Sequence, residues 1–316
     1  AQKNLFDSFI QLIATAIDEK SPYTAKHCRR VPVITDMLAD ATNKIDRGPL
    51  KDFSMNDNEM YELNVAAWLH DCGKITTPEY VVDKSTKLET IFDRINLIDI
   101  RFEVLKRDAV ITALKAIIKE NKDCDDIDKE LENNSALKNR LKELDDERIE
   151  IEKYNIGGES LLDNDLKRIK ELSENVYENS AGESIHLLND NEVENLQISR
   201  GTLNRKEREI INNHVSMTIK MLESLPYPKH LKNVPEFAGC HHEKMDGTGY
   251  PNKLKGNQMS IPARMIAIAD IFEALTAGDR PYKKGMSLSR ALKILGRMKL
   301  ENHIDPDLFD VFIDKK

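Results

Sequence analysis

Apolar residues recur at intervals of three and four along most of this chain, and that spacing places them on one face of an α-helix. Glycine and proline number only 13 and 11 among 316 residues, which disfavours a β-sandwich dense in turns. The sequence therefore predicts an all-α fold. Near the start, one such helical face holds Leu5, Phe9, Leu12, Ile13, Ala16 and Ile17.

Charge is distributed unevenly and suggests three segments. The whole chain carries a net charge of −8, whereas residues 87–200 carry −10 and the remainder +2. A chain of this charge does not hold a large nucleic acid through bulk positive potential, but its flanks would not repel a small anionic substrate. We predict a core in two parts, residues 1–86 and 201–316, separated by an acidic helical insertion at 87–200.

The insertion contains two apolar stripes with heptad spacing, which predict two antiparallel helices packed as a hairpin. A polar loop at 121–128 would join them, residues 179–195 are expected to be loop, and His186 is expected at the surface. The first stripe is Leu88, Ile91, Ile95, Ile98, Phe102, Leu105 and Ala109, and the second is Leu137, Leu141, Leu144 and Ile151.

Cysteine usage and hydropathy indicate a reducing compartment. Cys28, Cys72, Cys124 and Cys240 form no disulfide framework and no CxxC pair. No apolar run reaches the roughly 18 residues of a membrane span, and the N-terminus lacks the features of a signal peptide. We expect a cytoplasmic location, and the first residues resemble a helix cut from a longer parent chain.

Two motifs contain residue types that bind metals. The first is His70-Asp71-Cys72-Gly73-Lys74, and the second runs from Cys240-His241-His242 to Gly249-Tyr250-Pro251. An adjacent His and Asp can reach one metal while the carboxylate bridges to another, and neutral imidazoles are common ligands. Taken alone, the first motif also fits an Asp that caps a helix beside a buried histidine.

Three single residues on apolar helical faces join these motifs: His27, His214 and Asp270. A lone histidine is most often a core residue with a satisfied ring, but a buried carboxylate such as Asp270 needs a partner or a metal. Together the five histidines and two aspartates suit two adjacent metals that share Asp71. Cys28, Cys72 and Cys240 adjoin these residues, either as redox sensors or as small buried side chains.

The two motifs together resemble the HD-GYP family, a branch of the HD-domain metal-dependent phosphohydrolases. The resemblance covers roughly residues 5–85 and 200–312 and does not account for the insertion between them. It implies a helical bundle with an inserted hairpin and a binuclear, sometimes trinuclear, metal centre, with iron or manganese favoured over nickel or zinc. It also implies hydrolysis of cyclic di-GMP by a hydroxide that bridges the two metals.

The resemblance assigns roles to individual residues. Lys74 would lie near the scissile phosphate as a catalytic and substrate-binding residue beside Asp71, Arg280 and Lys283 would grip phosphates, and Tyr250 would line the pocket or a loop facing a partner protein. One metal would be held by His27, His70, Asp71 and Asp270, and the other by Asp71, His214, His241 and His242.

Departures from the family pattern qualify these roles. His214 follows Asp71 by 143 residues, far more than in the family, which indicates that the insertion splits the segment between them. The segment Thr276 to Arg280 is one residue longer than the common form. Position 23 is Tyr where trinuclear members carry Glu, so two metals are expected.

Several functions remain open at this stage. The leading prediction is a phosphodiesterase that opens a cyclic dinucleotide, cyclic di-GMP or cyclic GMP-AMP, to the linear dinucleotide. The alternatives are a general HD phosphohydrolase acting on mononucleotides, and a signalling scaffold that binds proteins through the GYP loop and the insertion. The heptad stripe also suggests a homodimer.

Overall fold

The computed structural model describes residues 2–20, 26–120, 127–158, 160–179, 181–278 and 285–314. Contacts divide the chain into two compact units, one formed by Ala1–Asp83 with Arg208–Lys316 and the other by Lys84–Glu207. The described residues are mostly helical, with one small two-stranded sheet, so the predicted all-α fold is confirmed. Among them, no helix is both long and apolar enough to cross a membrane.

The helices are numbered in chain order. The first four are α1 (Gln2–Lys20), α2 (His27–Thr42), α3 (Asp57–Leu69) and α4 (Glu79–Val82). The second unit contains α5 (Ile95–Glu120), α6 (Ile127–Asn133), α7 (Ser135–Asn155), α8 (Asp163–Ser173), β1 (Val176–Glu178), β2 (Ser184–His186) and α9 (Asp190–Leu196). The remaining helices are α10 (Arg205–Glu223), α11 (Val234–Gly239), α12 (Ile261–Thr276), α13 (Leu288–Leu300) and α14 (Pro306–Ile313).

The core of the first unit lies where α2 packs against both α3 and α12, with α11 against the same two helices. Small buried residues such as Ala39, Ala66 and Ala269 let these helices approach closely. Local signals fix where the helices start. Asn56 caps α3 in a reciprocal capping box with Glu59, and Ser260 caps α12, where its side chain accepts from the backbone of Ala263.

The second unit contains the predicted hairpin, built from α5 and α7. Asp99 pairs with Arg148 and Lys106 with Asp145, so the two helices run antiparallel. The stripe on α5 is shorter than predicted, because the helix begins only at Ile95. Ile91 is 95% exposed in a preceding turn, where the Glu89 carboxylate accepts hydrogen bonds from Ser85 and Thr86.

The prediction of a loop at 179–195 is wrong. This segment contains β2, which pairs antiparallel with β1, and most of α9. The segment is polar, but Asn189 and Glu192 form a capping box that starts α9, and Leu187 and Leu188 are buried. His186 is exposed, as predicted.

Lys87 is fully buried in the second unit, and its Nζ donates to the Leu196 carbonyl at 3.0 Å. Burial lowers the pKa of its ammonium to about 8. In the unfolded chain the Lys87 ammonium has a pKa of about 10.4, so between pH 8 and pH 10.4 it keeps a proton that the folded chain has lost. Over that range the folded state becomes more stable as the pH rises. Below pH 8 the buried ammonium is charged, and this costs the folded state the full amount of about 3 kcal/mol.

We therefore expect Lys87→Met to remove this pH dependence. Between pH 7 and pH 10 the advantage of the variant over the wild type should shrink by about 2.5 kcal/mol, whatever constant cost the unpaired Leu196 carbonyl adds. Denaturant unfolding at the two pH values measures the difference. The matched control is Lys142→Met, an exposed lysine on α7. An advantage of Lys87→Met that is equal at both pH values would contradict the prediction.

Candidate metal centre

Five segments of the first unit bring the seven predicted ligands to one place. His27 begins α2, His70 and Asp71 follow α3 directly, and His214 lies within α10. His241 and His242 follow α11, and Asp270 lies in the last half of α12. Each position is at a helix end or on the inner face of a helix, so the bundle aims all seven side chains inward.

Asp71 lies at the centre of the cluster, and its two carboxylate oxygens face different histidines. Oδ2 is 3.4 Å from His27 Nε2 and 3.3 Å from His70 Nε2. Oδ1 is 3.2 Å from His214 Nε2 and 3.8 Å from His241 Nε2. Asp71 makes no capping hydrogen bond to the helical turn that follows it, so the alternative reading of this residue as a helix cap is not supported.

The donor atoms form two groups on either side of Asp71. The atoms of His27, His70 and Asp71 lie within 4.8 Å of one another, and so do those of His214, His241 and His242. Asp270 joins the first group, since its Oδ1 is 3.2 Å from His27 Nε2 and 3.9 Å from His70 Nε2. The first group therefore contains two carboxylates, and the second consists of imidazoles next to Asp71 Oδ1.

The imidazole rings are oriented by contacts at their other nitrogen. Nδ1 of His70, His214 and His241 lies 2.7, 2.5 and 2.6 Å from the backbone carbonyl oxygen three residues earlier. A carbonyl can only accept, so Nδ1 carries the proton and Nε2 presents a lone pair. This is the arrangement that holds a histidine ready for a metal.

The donor set therefore fits divalent metals. Among the described residues, Asp71 Oδ1, His214 Nε2 and His241 Nε2 are buried without a hydrogen-bond partner. Three buried acceptors that face one another repel unless a cation lies between them. Imidazole and carboxylate ligands suit iron, manganese, zinc or nickel.

The titration of these groups follows from their burial and neighbours. Burial alone would raise the pKa of Asp71, but Lys74 and the surrounding imidazoles more than offset it and hold the pKa well below its usual range. Burial lowers the pKa of His241, and it lowers the pKa of His242 to about 4. Both rings are thus neutral near pH 7, the form that binds metals.

The neighbouring thiols are buried and free. Burial raises the pKa of Cys72 to about 11 and that of Cys240 to about 12, and it raises the pKa of Cys28 as well. A thiol that stays protonated is a poor nucleophile and a poor ligand, which favours the reading of these cysteines as small buried side chains. Cys124 lies outside the described residues.

Comparison with known proteins finds similarity over the second half of the site. Residues 191–308 match the family model described as HD domain. A 3′3′-cGAMP-specific phosphodiesterase of Vibrio cholerae is 40% identical over 110 residues, which are 34% of this chain and 23% of that protein. Over residues 191–308 the chain is therefore similar to HD domains.

Two further relatives are cyclic di-GMP phosphodiesterases. The one from Pseudomonas aeruginosa is 44% identical over 73 residues, 23% of this chain and 17% of its own length. The one from Thermotoga maritima is 31% identical over 113 residues, 36% of this chain and 30% of its own. The chain thus spans less than a third of the length of each of these relatives.

An HD domain depends on divalent metal ions, and the cluster around Asp71 offers ligands for them. The segment that matches the family model holds His214, His241, His242 and Asp270. The other three predicted ligands, His27, His70 and Asp71, come earlier in the sequence, before the second unit. They are included because their donor atoms lie close together and Asp71 also lies next to His214.

The GYP loop is fixed against the histidine pair. The Tyr250 ring stacks on the His242 ring, with centroids 4.9 Å apart and planes 26° from parallel. The buried Glu243 carboxylate accepts from the backbone of Asn252 and Leu254. A Cβ on Gly249 would lie 2.5 Å from the Glu243 Cα, so only glycine fits there. The loop thereby positions His242.

Lys74 lies at the edge of the site. Its Nζ donates to Asp71 Oδ2 at 2.5 Å, and about a fifth of the side chain (21%) is exposed. The turn that carries it is anchored by Lys20, whose Nζ donates to the carbonyls of Lys74, Ile75 and Thr77. Arg280 and Lys283, the predicted phosphate-gripping residues, lie outside the described residues, as does Tyr23.

Sequence reasoning missed the residues that support the ligands. Glu273 Oε2 contacts His27 Nδ1, and its other oxygen lies 2.5 Å from Arg30 Nη2. Thr218 donates to the His70 carbonyl and accepts from the Gly73 backbone. Glu273 could have been found, because it follows Asp270 by three residues on the same face of a helix. Thr218 carried no comparable signal.

We expect Glu273→Gln to weaken metal binding by about 10–100-fold, because the carboxylate that holds the His27 ring would lose its charge. Competition with a chromogenic chelator measures the affinity. Glu236→Gln is the matched control, since that carboxylate instead accepts hydrogen bonds from Ser260 at the start of α12. An affinity equal to that of the wild type would contradict a supporting role for Glu273.

Proposed function

We propose that this chain is a metal-dependent phosphodiesterase that hydrolyses a cyclic dinucleotide to the linear dinucleotide. The single observation that carries the proposal is the placement of Asp71, whose two oxygens face two separate groups of donors. Such a carboxylate suits a pair of metals, and a metal pair suits cleavage of a phosphodiester. Relatives named for this activity support the choice of substrate class.

The metals are proposed to occupy the two donor groups. His27, His70 and Asp270 would hold one, His214, His241 and His242 the other, and Asp71 would serve both. Iron or manganese is favoured, and nickel or zinc also suits these ligands. Bound there, the ions would activate a water molecule and neutralise charge on the phosphate.

Residues of the chain itself would orient the substrate. The Lys74 ammonium lies against Asp71 Oδ2 yet is reachable from solvent, so it would meet a phosphate oxygen at the edge of the site. Tyr250 would keep the His242 ring in place through stacking and line the same side of the pocket. Arg280 and Lys283 are proposed to grip phosphates. Asp71 and Lys74 are the proposed catalytic residues.

Two substrates belong to this proposal. Cyclic di-GMP is the first, and 3′3′-cyclic GMP-AMP is the second, because relatives named for each are similar to this chain. We place the protein in the bacterial cytoplasm, within a chain that also senses a signal. The insertion, for which we keep the predicted bounds 87–200, is proposed to serve assembly rather than chemistry.

Product analysis tests the proposal. The protein, purified without oxygen and loaded with Mn²⁺ or Fe²⁺, is incubated with each cyclic dinucleotide and with a panel of mononucleotides, and products are separated by HPLC. Linear dinucleotide from at least one cyclic substrate is expected. Hydrolysis confined to mononucleotides would replace the proposal with a general phosphohydrolase, and metal loading without any turnover would favour a scaffold.

A further inference from the structure

Helix α5 carries a second apolar stripe on the face opposite its contact with α7. The buried face holds Ile98, Phe102 and Leu105. About half a turn around the helix lies a second line of residues, which we call the seam. It consists of two sets of positions, and each set repeats every seven residues. The seam is Leu97, Val104, Ile111 and Ile118 at one position, and Ile100, Arg107 and Leu114 at the other.

This seam is uncovered within the described part of the chain. Leu97 is 39% exposed, Ile100 62%, Ile111 45% and Ile118 60%, and Val104 and Leu114 are partly exposed. Single exposed apolar residues are ordinary, but six apolar residues at seven positions of one seam are not. Alternation of three and four over three heptads is the spacing by which one helix packs along another.

We propose that this seam pairs with the same seam of a second copy of the chain, with the two α5 helices antiparallel. Each copy supplies a seam of the required length, about 30 Å from Leu97 to Ile118. In the register that we assign, Leu97 faces Leu114 of the other copy, and Ile100 faces Ile111. A two-fold axis between the helices makes the contact self-complementary and closed.

Charge selects the antiparallel arrangement. In a parallel pair, Arg107 would face Arg107 of the other copy, and Glu103 would flank Asp108. In the antiparallel register Arg107 instead faces Val104 of the other copy and lies one layer away from the second Arg107. Arg101, which pairs with Glu192 in its own chain, flanks Asp108 of the other copy. Among the described residues Arg107 makes no ion pair, which leaves it available to Glu103 of the other copy.

The contact is proposed to be modest in strength. A seam of three heptads lies at the small end of specific interfaces, so a dissociation constant of roughly 10 μM is expected. The proposal concerns assembly and does not depend on the proposed enzymatic activity, because no residue of the seam belongs to the metal centre.

Sedimentation equilibrium on the full chain tests the proposal. The Ile100→Glu, Ile111→Glu double variant places charges in facing layers and should weaken self-association by about 100-fold or more. The control is Ile91→Glu, Ile149→Glu, which adds the same charges at exposed apolar positions outside the seam. Circular dichroism verifies that both variants are folded. A wild-type chain that stays monomeric at 200 μM, or equal weakening by both variants, would overturn the proposal.

Cysteine cross-linking tests the orientation. In a Cys124→Ser background, chains carrying Ile100→Cys are mixed with chains carrying Ile111→Cys and oxidised. The antiparallel register predicts that the mixed pair cross-links while neither chain cross-links with itself. Cross-linking of Ile111→Cys chains with one another would overturn the antiparallel arrangement.

Discussion

Replacing Asp71 with asparagine should remove both metals and lower turnover by on the order of 10⁴-fold. The amide keeps the size of the side chain but offers one neutral oxygen in place of two that share a negative charge. It would also place an NH₂ group against the Nε2 lone pair of His70 or of His214, which lie 3.3 and 3.2 Å from the Asp71 oxygens. Both donor groups lose their shared ligand in one substitution.

Elemental analysis and turnover measured on the same sample check this result. The matched control is Asp36→Asn, because Asp36 is a second partly buried carboxylate of the same unit, hydrogen-bonded to Asn64. Burial raises the pKa of Asp36 to about 6, so a neutral amide should be tolerated there. An Asp71→Asn protein that retained two metals or most of its turnover would exclude Asp71 as the shared ligand.

The largest effect on stability is expected from Glu207→Gln in the second unit. The Lys84 ammonium donates to both Glu207 oxygens at 2.8 Å and to Asn195 Oδ1 at 2.9 Å, and both charged residues are buried. Burial lowers the pKa of Lys84, although Glu207 acts in the opposite direction. Removing the carboxylate charge leaves a buried cation unpaired, which should cost about 3–5 kcal/mol of unfolding free energy.

Denaturant unfolding measures this loss of stability. Two further variants serve as a control and as a rescue. Glu152→Gln breaks a partly exposed pair with Arg148 in the same unit and should cost less than about 1 kcal/mol. Adding Lys84→Met to Glu207→Gln removes the stranded charge and should recover part of the loss. Equal losses of unfolding free energy for Glu207→Gln and Glu152→Gln would show that the buried pair does not stabilise this unit more than a surface pair does.

Local motifs predicted the helical character well and supplied the candidate ligands, because each lies in a short recognisable context. His70 and Asp71 are adjacent, as are His241 and His242, and the structure brings them together with His214 despite the 143 residues that separate it from Asp71. The insertion places His214 far along the sequence, yet its Nε2 lies 3.2 Å from Asp71 Oδ1. That these side chains bind metal stays a proposal.

The first error in the predicted secondary structure arose because the heptad spacing of apolar residues continued through a turn. The heptad spacing of Leu88 and Ile91 continued that of α5, yet side-chain hydrogen bonds at Ser85, Thr86 and Glu89 hold this stretch as a turn. Conversely, the polar segment 179–195 concealed a strand and a helix. The seam on the outer face of α5 was invisible until the structure showed which of two stripes is buried.

Metal titration of the metal-free chain tests the central claim most directly. Mn²⁺ or Fe²⁺ is added in steps without oxygen, and cleavage of cyclic di-GMP and 3′3′-cyclic GMP-AMP is followed at each step. Two donor groups that share Asp71 predict that hydrolysis to the linear dinucleotide appears only as the second equivalent binds. Full turnover with one equivalent or none, or two bound metals with both substrates intact, would contradict the account.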